Sequence, residues 1–98
     1  MIEVNGRFFD WDEDKYVSNL VKHKIDFHEA ITIFNDPNIV ERYDEKYSFY
    51  EERFKAIGLS ENMRILMVCH CYKENGDLIR IISARKATKG EIRIYGGA

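Results

Sequence analysis

Three groups of side chains in this 98-residue sequence have types and spacings suited to chemistry. Lys15, Asn19, Lys22 and His23 recur at i, i+4, i+7 and i+8, so on a helix they line one polar stripe. Two cations, an amide and an imidazole in a row can hold phosphates and bases. The same residues also fit a solvated face on which Lys22 or His23 balances the negative end of the helix. Arg53, Arg80 and Arg85 form the second group, each on or at the end of a segment with strand character. A guanidinium fork binds two phosphate oxygens and stays charged. Alternation places Arg80 with Leu78 and Ile82, opposite Arg85, unless a bulge intervenes, and Arg80 fits the role of a structural ion-pair partner equally well. His70 stands alone as the third, mid-strand between Cys69 and Cys71. Its imidazole, ordinarily titrating near ~6.5, can act as acid or base, or be a hydrogen-bonded core group.

The Cys69-His70-Cys71 triplet suggests zinc, but a strand sends the two sulfurs to one face and the imidazole to the other. One ion cannot take all three. No metal and no cofactor is expected, since the sequence has no Gly-rich phosphate loop, Ser/His/Asp signature or HExxH.

These residues need elements to position them. Residues 2–9 read as a short strand around Val4, Phe8 and Phe9. Asp12 caps a helix running to about Lys24, with Val17, Leu20, Val21 and Tyr16 as its inward stripe. Asp26 caps a second helix, where Phe27, Ala30, Ile31 and Phe34 repeat at helical spacing until Asn35-Asp36-Pro37-Asn38 stops it. The period then becomes strand-like over residues 39–43, 53–59, 64–72 and 78–84, with a hairpin signal at Asn75-Gly76. Thr88 caps a last short helix from Lys89 to about Tyr95, followed by Gly96-Gly97. The fold class is α+β, with a short N-terminal strand, two helices, a mainly antiparallel four-stranded meander and a short C-terminal helix. Trp11, Leu20, Phe27, Ile31, Phe34, Ile57, Met67 and Ile81 are the expected core, and the recurring Phe and Tyr residues read as core and interface, not as a base-stacking platform.

Composition sets bounds. With 45% hydrophobic and 33% charged residues, one Pro and six Gly, the chain reads as one ordered domain over residues 1–98. The longest apolar run, Ile65 to Cys69, is far too short for a membrane helix, and no signal peptide is visible, so a cytoplasmic protein is expected. The net charge of −2 conceals a polarity: residues 1–52 hold 13 acidic and 6 basic side chains, residues 53–98 hold 4 acidic and 9 basic. Such a chain lacks the overall basic footprint of a strong duplex-DNA binder, and any nucleic acid should be bound locally, in a cleft.

Three stretches in register carry a resemblance. Trp11-Asp12-x-x-Lys15-x-x-x-Asn19-x-x-Lys22-His23-x-Ile25-x-Phe27-x-x-Ala30, then Glu52-Arg53-Phe54-x-x-Ile57-Gly58, then Arg80-Ile81-Ile82-Ser83-Ala84-Arg85-x-Ala87 resemble the BrnT family of type II toxins, over about residues 8–95. The resemblance implies a RelE-like fold and a ribonuclease activity that arrests translation. It also implies neutralisation by a cognate DNA-binding, ribbon-helix-helix-like antitoxin of the BrnA kind, with operator DNA reached only through that antitoxin. The sequence departs from the family at Lys24, where Gly usually follows Lys-His, and in the charged, tyrosine-rich stretch Tyr43–Tyr50.

Metal-independent RNA cleavage needs a base for the ribose 2′-hydroxyl, an acid for the leaving oxygen and cations where charge gathers on phosphorus. Arg85, His70 and Arg53 are the expected catalytic set. Lys15, Asn19, Lys22, His23, Arg80 and Lys86 are the expected RNA contacts. The antitoxin is expected to cover a site near His70 and Arg85, meeting the basic half of the chain with Tyr72 or Tyr95 as anchors. The competing function is a non-catalytic protein-binding module acting with a DNA-binding partner.

Overall fold

Asn5 and Gly6 turn the N-terminal segment back on itself. Both sit at positive φ, 51° and 81°, as a two-residue hairpin turn requires, so the expected single strand is a pair: β1 (Ile2–Val4) and β2 (Arg7–Trp11). The computed structural model describes residues 1–97; Ala98, the end of the expected domain, lies outside them. The remaining strands are β3 (Val40–Tyr43), β4 (Phe54–Leu59), β5 (Ile65–Lys73) and β6 (Leu78–Lys86). They form the expected antiparallel meander, and β2 joins it by pairing parallel with β6, from Phe8↔Leu78 to Trp11↔Ile81. The sheet order is β1-β2-β6-β5-β4-β3.

Helix α1 (Glu13–His23) begins where Asp12 accepts the Lys15 amide at 3.1 Å, with Glu13 and Asp14 in the positively polarised first turn. It ends at Lys24, which adopts φ 60°, ψ 25° and donates its N–H to Leu20 O. That left-handed conformation is the one glycine takes without steric cost, so the lysine holds a strained corner. Helix α2 (Phe27–Ala30) is capped by Asp26 and tightens into a 3-10 turn, Ile31–Asn35. Helix α3 (Lys89–Tyr95) starts with a capping box between Thr88 and Glu91, and Tyr95 ties it down by donating to Asp36 at 2.6 Å.

The core lies between α2 with its 3-10 extension and one face of the sheet, where Ala56, Leu66, Val68, Ile79, Ile81 and Ala84 meet Phe27, Ile31, Ile33 and Phe34. Gly58 lets β4 approach closely, since a Cβ there would lie 2.9 Å from Ile33 Cβ. Of the expected core, Phe27, Ile31, Phe34, Ile57, Met67 and Ile81 are buried, while Trp11 and Leu20 are only half-buried. The inward stripe of α1 also differs: Val17 and Val21 face solvent, Val21 being 70% exposed, and Asn19 points in at 5%. The physical reason is the edge of β6. Its partner β2 ends at Trp11, opposite Ile81, and beyond that end the N–H and C=O of Ala84 are directed at α1. The Asn19 amide satisfies both of them and so decides which side of α1 turns inward.

An irregularity in β6 decides where the charged side chains go. Cys69 pairs with Ser83 but His70 with Ile81, leaving Ile82 as an extra residue. Beyond this bulge the alternation is reversed. Arg80, Ser83 and Arg85 therefore share the sheet face of Cys71, Cys69 and Met67, away from the core.

Candidate active site

That face carries a cavity of about 400 Å³, lined by Lys22 of α1, Asp44 and Tyr47 after β3, Arg53 and Lys55 at β4, Met67 and Cys69 of β5, and Ile82, Ser83 and Arg85 of β6. Four cationic side chains from three elements thus surround one hollow. A second hollow of about 310 Å³ adjoins it, sharing Lys22, Ile82 and Ser83, and adds Asp14, Lys15, Ser18, Asn19 and His23. Together they make a groove running from the polar side of α1 onto the sheet.

Arg85 is held in the groove by a two-pronged ion pair with Glu91, Nη1 to Oε1 at 2.8 Å and Nη2 to Oε2 at 2.9 Å. The pair raises the arginine further and keeps the Glu91 carboxyl below its ordinary range. Because Glu91 also closes the capping box, the start of α3 and the arginine fix each other. Arg53 is less committed. Its Nε is buried without a hydrogen-bond partner and lies 3.7 Å from Glu51 Oε1, too far for a good bond. Lys22 links the two hollows, and His23 sits beside it. Partial burial, then the charges of Lys22 and Arg85, push the His23 imidazole below its ordinary value, so it is neutral at pH 7 and able to accept a proton. Burial pushes the Cys69 thiol up, which keeps it protonated and a poor nucleophile.

Arg53, Arg85, Lys22, His23 and Lys15 thus come together as the sequence suggested. The other expected site residues do not. His70 is fully buried on the opposite face of the sheet, edge-on to Phe34 with ring centroids 5.0 Å apart. Its Nε2 lies 2.6 Å from Glu41 Oε1, which also accepts the Tyr72 hydroxyl. Burial outweighs Glu41 and lowers its pKa. One site spanning His70 and Arg85 is therefore excluded. Asn19 lines the second hollow, but its amide is spent on Ile25 O, Ala84 O and Ala84 N, all within 3.0 Å, leaving it a structural tie and not an RNA contact. The bulge brings Arg80 to the face of Arg85, yet Asp10 grips it with two hydrogen bonds of 2.9 Å, and it lies outside both hollows. Lys86, opposite Leu66 in the ladder, follows the other face.

Lys55, Tyr47 and Asp44 went unnoticed in the sequence. Lys55 had a signal: two residues beyond Arg53 on one strand, it must share that arginine's face. Asp44 and Tyr47 had none, because they belong to an aperiodic loop closed by Asp44 N–H donating to Arg53 O at 2.8 Å and by Ser48, which accepts the Arg53 N–H at 3.0 Å.

The sequence model of a family described as "Ribonuclease toxin, BrnT, of type II toxin-antitoxin system" matches residues 11–91. That span takes in every residue of the groove. Among solved structures, the Brucella abortus ribonuclease toxin BrnT has a similar fold, with a TM-score of 0.61 and 22% identity over 85% of this chain and 99% of that one. No curated protein matches the sequence.

Proposed function

The chain belongs to the BrnT family of ribonuclease toxins of type II toxin–antitoxin systems, and from that premise we propose that the groove between α1 and the sheet is the ribonuclease site, working without a metal ion. The observation that carries this reading is the convergence of Lys22, Arg53, Lys55 and Arg85 on one cavity beside a neutral imidazole. A scissile phosphate in the cavity meets cations on several sides, where negative charge grows as phosphorus becomes five-coordinate. His23 takes the proton from the ribose 2′-hydroxyl, and the 2′-oxygen attacks phosphorus. The bond from phosphorus to the 5′-oxygen breaks as that oxygen gains a proton, giving a 2′,3′-cyclic phosphate and a 5′-hydroxyl. Lys22, Lys55 and Tyr47 are among the proton-bearing groups that line the cavity and can supply that proton. Arg53 supplies the uncommitted N–H for a phosphate oxygen, Arg85 a guanidinium fixed by Glu91, and Lys15 a contact along α1.

Cleavage of cellular RNA at this site would arrest translation. A BrnA-like ribbon-helix-helix antitoxin would relieve it by covering the groove, and operator DNA would be reached through that partner.

The test is RNA cleavage by purified protein, with analysis of the ends. The parent should leave cyclic phosphate ends. Arg53→Ala and His23→Gln should each lose at least about 100-fold, within the range for removing a charge-stabilising or acid–base group, while His70→Gln keeps its activity. Full cleavage by Arg53→Ala and His23→Gln would remove the groove from the chemistry.

A further inference from the structure

We propose that the loop between β3 and β4 is a base-stacking platform, which makes the substrate a single-stranded RNA laid across the mouth of the groove. This rests on the ribonuclease reading above and adds the form of RNA that the site accepts.

The loop is tight at its base and aromatic at its tip. Asp44, Ser48 and Arg53 close it through backbone and hydroxyl hydrogen bonds, so the residues between are presented on a fixed stem. At the tip Phe49 is 90% exposed, Tyr50 is wholly exposed and Tyr47 is about half exposed, so these three are not the core that the sequence suggested for its aromatic residues. Single exposed apolar residues need no explanation, but three large aromatic side chains within four positions leave considerable apolar surface in water. Tyr47 connects this surface to the chemistry: it belongs to the exposed tip and also lines the cavity that holds Lys22, Arg53, Lys55 and Arg85. The Lys46 ammonium lies 5.3 Å from its ring centroid.

Charge selects the occupant. The tip from Tyr47 to Tyr50 carries no charge and cannot hold phosphate. The acids stand at its feet, where Glu51 is engaged by Lys73 at 2.7 Å. Phosphates therefore belong in the cationic cavity, and what the adjoining tip offers is flat π surface. A nucleic acid strand whose backbone enters the cavity brings its bases to the loop, and stacking accepts any base. A duplex keeps its bases inside and cannot use such a surface.

The experiment measures binding of a short, fluorescently labelled RNA strand carrying 2′-methoxy groups, which cannot be cleaved, and of the same strand in a duplex. The parent should prefer the single strand. The double variant Phe49→Ala/Tyr50→Ala, altered only at exposed positions, should keep its unfolding midpoint and bind the strand about 5- to 150-fold more weakly, the range for losing one stacked base (about 1–3 kcal/mol). Its salt dependence should not change, whereas Arg53→Ala should lower both affinity and salt dependence. In Tyr50→Trp, the new indole emission should be quenched by the strand. Loss of binding in Arg53→Ala with parent-like binding in the loop variant would overturn the platform and leave the groove standing. A parent that binds neither RNA would remove the groove reading itself. A loop variant that keeps its RNA affinity but no longer binds the antitoxin would make the loop a protein contact and overturn the proposal.

Discussion

Asn19 and Ala84 are joined as though they were paired in a sheet: the amide of one donates to the carbonyl of the other at 2.9 Å and accepts its N–H at 3.0 Å. The same NH₂ group also reaches Ile25 O. Asn19→Ala leaves these buried backbone groups without partners and should cost about 2–4 kcal/mol, read as a lower urea midpoint with an unchanged slope. An unchanged midpoint would mean that water replaces the amide at no cost.

Lys24→Gly should stabilise the protein. The left-handed backbone at this residue strains any side chain, and relief should exceed the entropy that glycine adds to the unfolded chain, by about 0.5–1 kcal/mol. A thermal midpoint higher by a few degrees is expected for a chain of this length. Lys24→Ala, which removes the charge but keeps the Cβ, should show no such gain.

The meander was legible because strand period, turn residues and helix caps agreed along residues 26–86. The face of α1 was not. Val17 and Val21 carry the apolar signal on that helix, yet the inward face follows from two peptide groups at residue 84 that lack a strand partner, and no pattern within residues 13–23 reveals them. The faces of Arg80 and Arg85 stayed open for a related reason. Alternation separates Arg80 from Arg85, and only the extra residue Ile82 reunites their faces, a feature that depends on pairing between strands. Arg53, Lys22 and His23 could be identified because their chemistry is written in residue type. Whether an arginine stays free for a ligand depends on partners such as Glu91 for Arg85 and Asp10 for Arg80, distant in sequence or in another element.

Acid should weaken the fold through its histidines. Burial lowers the pKa of His70 and of His23 below the ordinary value near ~6.5, so the unfolded chain binds protons more readily than the folded one. Stability is therefore full above that value and declines as pH falls below it toward the folded pKa values. His70→Gln, which cannot take up the proton, should flatten the decline measured between about pH 7 and 5. An identical slope in parent and variant would assign the acid sensitivity elsewhere.

With His23 as the proposed base, the same displacement predicts a pH profile for cleavage. A base must be unprotonated, so the rate should fall on the acid side with an apparent pKa below that of free histidine and stay level through neutrality. Replacing Lys22 with Met removes one of the charges that hold the imidazole neutral and should move this limb toward higher pH. A limb that stays in place would separate His23 from the proton transfer.

Cleavage should persist in a strong chelator. In the proposed reaction the ammonium and guanidinium groups lining the groove would do the electrostatic work that a divalent ion performs elsewhere. Activity that disappears with chelator and returns with a divalent ion would refute this chemistry.

The tie between Asn19 and Ala84 has a further effect during synthesis. Lys22 is made more than sixty residues before Arg85, and β2 finds its partner in β6 only after some seventy residues have been added. Contacts this distant in sequence form late, because a long loop must close before any of them is gained. A nascent chain therefore has α1 and its cations but no sheet edge to dock them on, and the groove remains unassembled until the final strand is available. By this topology the proposed site is complete only once β6 has been made and has paired with β2 and β5.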